Sequence, residues 1–210
     1  MIKLYGNPYS RANRVRWALH EAEIPYAEEQ VELGESGTRS PSFLAINPNG
    51  HIPVLDDGGL VLFESVPISL YIAKRYAPDR LYAAEIQDEA KILQWSVWAI
   101  TELEKYLEAA SLQVTWLPAA SRSADKAAAA QAEARRCLAM LSEAIASSGY
   151  LVGGRFGIAD LIVTEVLTNI VHSGVDLQSH DGIDAYVRRN LSRGAAEKAF
   201  APDVIAPLLQ

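Results

Sequence analysis

Strand and turn signals occupy only the first part of this chain, up to about residue 77, and helical periodicity alone runs from Gln87 onward. A chain patterned in that order has to build an α/β domain followed by an all-helical one. Residues 2–6 read as a short strand, and residues 11–22 set Val15, Ala18 and Leu19 on one helical face. Residues 26–33 alternate as a weak strand, and residues 41–46 read as a short helix. Two further strands, at about 53–56 and 60–63, are joined by Asp57-Gly58-Gly59, a hairpin turn signal. A helix from Glu64 to Tyr76 closes this part, and Pro78 marks the break. The expected division is an α/β domain at 1–77, a linker at 78–86 and a helical domain at 87–210. In the latter, long helices are expected at about 87–113, 125–147 and 157–171, with two shorter ones completing the chain.

Composition excludes several classes of function. The 19 Lys and Arg against 26 Asp and Glu give a formal charge of −7, with no dense basic stretch, so a phosphate footprint for nucleic acid is not expected. No run approaches the roughly 18 apolar residues of a membrane span, and no charged-then-apolar leader is visible at Met1, so no membrane partner and a cytoplasmic location are the expectation. The single cysteine, Cys137, forbids an internal disulfide or a CxxC motif and reads as packing. The four histidines, His20, His51, His172 and His180, lack metal-ligand spacing, so no metal is expected. Gly153-Gly154 is followed by no Lys-Ser pair and makes no phosphate loop.

The residues with most chemical content cluster in the first domain. In Asn47-Pro48-Asn49-Gly50-His51-Ile52-Pro53-Val54-Leu55, a cis Ile52-Pro53 bond would leave the Ile52 N–H and C=O facing outward, ready to pair with an extended ligand. Glu64-Ser65 opens a helix, whose free N–H groups seat a carboxylate. Ser10 stands at the inferred start of the first helix, where a hydroxyl either caps the helix or donates to a ligand sulfur. In the second domain, Trp98, Glu102, Lys105, Tyr106 and Trp116 lie along or just after the first long helix, where such side chains more often pack than bind.

KLYGNPYS (3–10), NPNGHIPVLDDGGLVLFES (47–65) and YLVGGRFGIADLIVTEVL (150–167) together resemble the cytosolic glutathione S-transferase superfamily, of serine type and bacterial-like. The likeness spans most of the chain. It implies a thioredoxin-like N-terminal domain and glutathione as cosubstrate without a metal. It also implies conjugation of the glutathione thiolate to a small hydrophobic electrophile, and a homodimer. By this resemblance Ile52 and Pro53 clasp the cysteinyl backbone, Glu64 and Ser65 take the γ-glutamyl end, Arg39 and His51 meet the glycyl carboxylate, and Ser10 activates the thiol. Tyr9 and Tyr5 are rivals for that last role, since the superfamily has tyrosine-type members. Thr38 stands where some relatives carry histidine, and the region of Trp98 to Trp116 corresponds to the border of the electrophile site. Asp160 matches a capping aspartate of the central helix, although Gly157 replaces the usual Ser or Thr of its reciprocal box. Two alternatives stay open: glutathione-dependent reduction of peroxides or disulfides, and a non-catalytic adaptor built on the same fold.

Overall fold

The computed structural model describes residues 1–209, which fold into two compact units. The first comprises Met1–Tyr82 together with Gly194–Val204, and the second runs from Ala83 to Arg193 and resumes at Ile205.

The first unit is built on a four-stranded sheet in the order β2-β1-β3-β4, from β1 (Ile2–Gly6), β2 (Tyr26–Gln30), β3 (Val54–Asp57) and β4 (Leu60–Phe63). β1 and β2 run parallel, joined through α1 (Ala12–Ala22), whereas β3 lies antiparallel to both β1 and β4. Alternation along the strands sorts the side chains between the two faces. Leu4 and Leu55 pair across β1 and β3 and are fully buried on the side of α1 and of α3 (Ser65–Tyr76). Tyr5 and Val54 point the other way and join Val31 and the Phe43 ring of α2 (Pro41–Leu44) in a second apolar cluster. Gly6 is required where α1 begins, because a Cβ there would sit 2.4 Å from that of Ala12.

Two features of this unit differ from the sequence reading. The stretch expected as a linker contains a short helix, α4 (Pro78–Leu81), started by Pro78 and tied down by Arg80, which donates to the Ala22 carbonyl at 3.0 Å. Residues 194–204, read from the sequence with the helical part, lie in the first unit. There α10 (Gly194–Ala199) packs on α1, and the Phe200 ring meets Trp17 edge to face at 5.7 Å. Trp17 is one of the largest fully buried side chains, and its indole needs an apolar cover that the first 82 residues do not complete alone.

The second unit is helical: α5 (Ile86–Trp98), α6 (Lys105–Ser111), α7 (Ala124–Ile145), α8 (Ile158–Leu167) and α9 (Ile183–Leu191). π-helical turns at Ala99–Glu104 and Leu112–Trp116 interrupt the single helix expected from residue 87 to 113. α8 is buried all round. Its start is organised by Asp160, whose carboxylate accepts from the N–H groups of Leu151 and Gly157, both at 3.0 Å, and from the Tyr186 hydroxyl at 3.0 Å. Gly157 supplies only backbone to this arrangement. Burial pushes the Asp160 carboxyl up to about 6 even though these hydrogen bonds oppose the shift. After α9 come α10 and α11 (Pro202–Leu209), so among the described residues three helices rather than two follow residue 171.

Candidate functional site

The register of the sheet assembles the site. Tyr5 of β1 pairs with Val54 of β3, and Val54 pairs with Phe63 of β4. The chain segments just beyond these residues are Gly6 to Ser10, Ile52-Pro53 and Glu64-Ser65, and they emerge at the same end of the sheet. Sites separated by more than fifty residues in sequence thereby become neighbours.

The Ile52-Pro53 peptide is cis, and Pro53 is buried. Both ladders end at Val54, so the Ile52 peptide groups stand outside the sheet pairing. Asn47 shapes the approach to them: its Nδ2 donates to the His51 carbonyl at 2.8 Å, its Oδ1 accepts from the Asn49 N–H, and its own carbonyl accepts from the Gly50 N–H. Gly50 has φ of +62°, and a Cβ there would lie 2.7 Å from Arg39 Nη1 and 2.9 Å from the Thr38 carbonyl oxygen. Arg39 donates to the Asn49 carbonyl at 3.1 Å. Arg39 and His51, both exposed, thus flank one turn, and each offers N–H donors to an anion. Thr38 is buried instead and accepts from the Gly34 N–H, a structural duty in the preceding loop.

Glu64 precedes α3 with φ of +70°, a left-handed conformation unusual outside glycine, and its side chain is exposed. Ser65, the first residue of α3, is buried and receives a hydrogen bond from Arg14 Nη1 at 2.8 Å. Because Arg14 supplies the donor, the Ser65 hydroxyl proton is directed elsewhere and is available to an incoming carboxylate. Arg14 is fully buried behind the hydroxyl it supports. Sequence reasoning missed this partner. A buried arginine leaves no local pattern, and the residue it supports is 51 positions away.

The turn before α1 holds Ser10. Its hydroxyl donates to the Asn7 carbonyl at 2.9 Å and accepts from the Ala12 N–H at 3.2 Å, so it braces the helix start. Rotation about Cβ–Oγ redirects the proton while the oxygen keeps the Ala12 contact. The tyrosines differ sharply in setting. Tyr5 is buried in the sheet core, edge to face with Phe43 at 6.3 Å, whereas Tyr9 is 72% exposed and fastened only through its backbone N–H to Asn7 Oδ1.

In the second unit, Trp98 packs edge to face on Trp95 at 5.0 Å, and Glu102 lies 3.7 Å from Lys105 and 3.9 Å from Arg136. The Lys105 ammonium sits 4.4 Å from the centre of the Tyr106 ring, and exposed Trp116 stacks at a tilt on His172. These side chains satisfy one another along the helix surface. Cys137 is buried, and its thiol is pushed up by desolvation, as an inert packing group requires. Among the described residues no cluster of histidine, cysteine and carboxylates is placed to hold a metal, and no helix is long and apolar enough to cross a membrane.

A thioredoxin-like sheet with a cis-proline turn and a helix opening on a buried serine, followed by a helical unit, defines a glutathione S-transferase fold. Comparison with known proteins agrees. Residues 1–74 match the glutathione S-transferase N-terminal domain, and residues 107–193 match the corresponding C-terminal domain. Glutathione S-transferase PARB of Nicotiana tabacum is 35% identical over 76% of this chain and 78% of its own length. The disulfide-bond oxidoreductase YfcG of Escherichia coli is 30% identical over 95% and 94% respectively. The crystal structure of the theta class glutathione S-transferase from Xanthomonas axonopodis pv. citri with glutathione bound superposes with a TM-score of 0.85 at 29% identity, covering 94% of this chain and 96% of that one. The chain belongs to the glutathione S-transferase family.

Proposed function

We propose that this glutathione transferase binds glutathione across the end of its sheet and conjugates its thiolate to a small hydrophobic electrophile. The convergence of Ser10, Ile52-Pro53 and Glu64-Ser65 through the pairing of Tyr5, Val54 and Phe63 carries this reading. The Ile52 backbone pairs with the cysteinyl residue, Ser65 donates to the γ-glutamyl carboxylate with Arg14 behind it, and Arg39 and His51 take the glycyl carboxylate. Ser10 then donates to the sulfur and favours its ionised form. A free thiol of pKa about 8.5 is only a few per cent ionised at neutral pH, and each unit of depression corresponds to about 1.4 kcal/mol. The thiolate attacks the electrophile's carbon, and the bond to the leaving group breaks or the double bond or ring opens. We assign the protein to the cytoplasm as a homodimer, a state supported by the exposed apolar Leu60, Val61 and Phe63 of edge strand β4.

The test is the ultraviolet absorbance of bound thiolate against pH. Ser10→Ala should raise the thiol pKa by about one to two units while glutathione affinity changes less, and Tyr9→Phe should leave it unmoved. A shift confined to Tyr9→Phe would transfer the role to that tyrosine.

The relation to YfcG supports a second reading, in which the same thiolate attacks the sulfur of a disulfide. Turnover of a glutathione mixed disulfide in preference to chloroaromatic and epoxide substrates would select it. An adaptor role has no use for the Arg14-supported Ser65 hydroxyl.

A further inference from the structure

The Asn7 to Ser10 turn is fastened from below by two buried side chains of α1. Asn13 Nδ2 donates to the Pro8 carbonyl at 2.9 Å, and the Asn13 N–H donates to the Ser10 carbonyl at 3.0 Å. The Asn13 Oδ1 accepts in turn from Arg16 Nη1 at 2.5 Å. That same nitrogen donates to the Ala199 carbonyl at 2.9 Å, at the end of α10. The remaining face of the guanidinium grips Glu28 of β2 with both Nε and Nη2, at 3.0 and 2.5 Å. The paired charge keeps Arg16 in one rotamer. Arg16 therefore fixes which way the Asn13 amide faces, Oδ1 toward itself and Nδ2 toward Pro8, and the amide sets the carbonyl spacing of the turn that aims Ser10.

We infer that Asn13 and Arg16 are positioning residues for thiol activation, linking the Ser10 turn to the docked 194–204 segment. The inference rests on the reading of Ser10 given above. A misplaced donor forfeits stabilisation of the thiolate more than it forfeits binding, because the contacts at Ile52 and Ser65 belong to other segments.

The experiment measures the pKa of enzyme-bound glutathione by thiolate absorbance, with affinity by calorimetry, for Asn13→Ala, Arg16→Lys, the double variant and Ser10→Ala in the full chain. Asn13→Ala should raise the pKa by about one unit, roughly a tenfold loss of thiolate below that pKa, with affinity changed by less than about threefold. Arg16→Lys keeps the charge but loses the fork, and should shift the pKa in the same direction by less. The double variant should shift no further than Asn13→Ala, as members of one chain do. Profiles for Asn13→Ala and Arg16→Lys that coincide with wild type, while Ser10→Ala shifts, would overturn the positioning role and leave the Ser10 reading standing. No shift in Ser10→Ala would remove both. A fall in turnover with an unmoved thiol pKa would mark a packing defect and also count against the inference. Should Asn13→Ala fail to fold, Arg16→Lys decides the matter by its own pKa.

Discussion

At the start of α8, Asp160 receives the Leu151 and Gly157 N–H groups and the Tyr186 hydroxyl, and all of these groups face inward. At the start of α3, Ser65 receives one hydrogen bond from Arg14 and still has a proton to give. Both are polar side chains buried at the opening of a helix. The first site closes its hydrogen bonding within the protein and so serves folding. The second keeps one donor in reserve, which the proposed role assigns to glutathione. The two helix starts thus differ in the hydrogen-bonding capacity left over once the local network is satisfied.

The largest effect should come from emptying the closed site. Asp160→Ala removes the acceptor shared by the buried Leu151 N–H, the half-buried Gly157 N–H and the Tyr186 hydroxyl, at on the order of 1–3 kcal/mol for a fully orphaned donor, and urea unfolding should show a loss of about 3 kcal/mol or more. A loss below 1 kcal/mol would mean that water or rearrangement serves those donors and that the site is not closed.

Asp160 should also write a pH dependence. Its carboxyl rises from an ordinary 3.8 to about 6 on folding, so the native state holds the proton more tightly than the unfolded chain. The stabilisation is full below about pH 4 and is lost as pH rises through 6, roughly 2–3 kcal/mol in all. Unfolding of wild type and Asp160→Asn between pH 4 and 7 isolates it, since the asparagine variant should lack this slope.

Ser65→Ala tests the open site. Loss of a charge-assisted hydrogen bond should weaken glutathione binding by about 1.5–3 kcal/mol in calorimetry, more than it lowers unfolding stability. Equal affinity in variant and wild type would erase the difference between the two helix starts.

The smallest change completes the reciprocal box. Gly157 has an ordinary extended backbone, φ of −144°, that serine adopts without strain. Gly157→Ser should add an acceptor for the Asp160 N–H and raise stability by a few tenths of a kcal/mol in denaturant titration.

Much of the first unit was legible because its signals are local. The Asp57-Gly58-Gly59 turn, the alternation of apolar residues and the start of α3 were all visible in short windows, and β3, β4 and α3 formed where those windows place them. Ser10 and Ser65 were candidates because helix starts and resemblance both mark them. Their supports were not legible. Arg14, Asn13 and Arg16 occur in a stretch that a surface helix could equally carry, and only their burial and their bonds to Ser65, Pro8, Glu28 and Ala199 mark them out. The π-helical turns escaped because Ala99, Leu103 and Leu107 keep four-residue spacing across the first of them, so the pattern carries no mark of it.

The bond from Arg16 to the Ala199 carbonyl joins positions 183 residues apart, which has a consequence for synthesis. On a ribosome adding about 5–20 residues each second, the partner of Arg16 arrives roughly 10–40 seconds after Arg16 itself. Through that interval the Trp17 indole lacks its Phe200 cover. The sheet and its site are the first part of the chain to emerge, yet nearly the whole helical unit has to be made before they are finished.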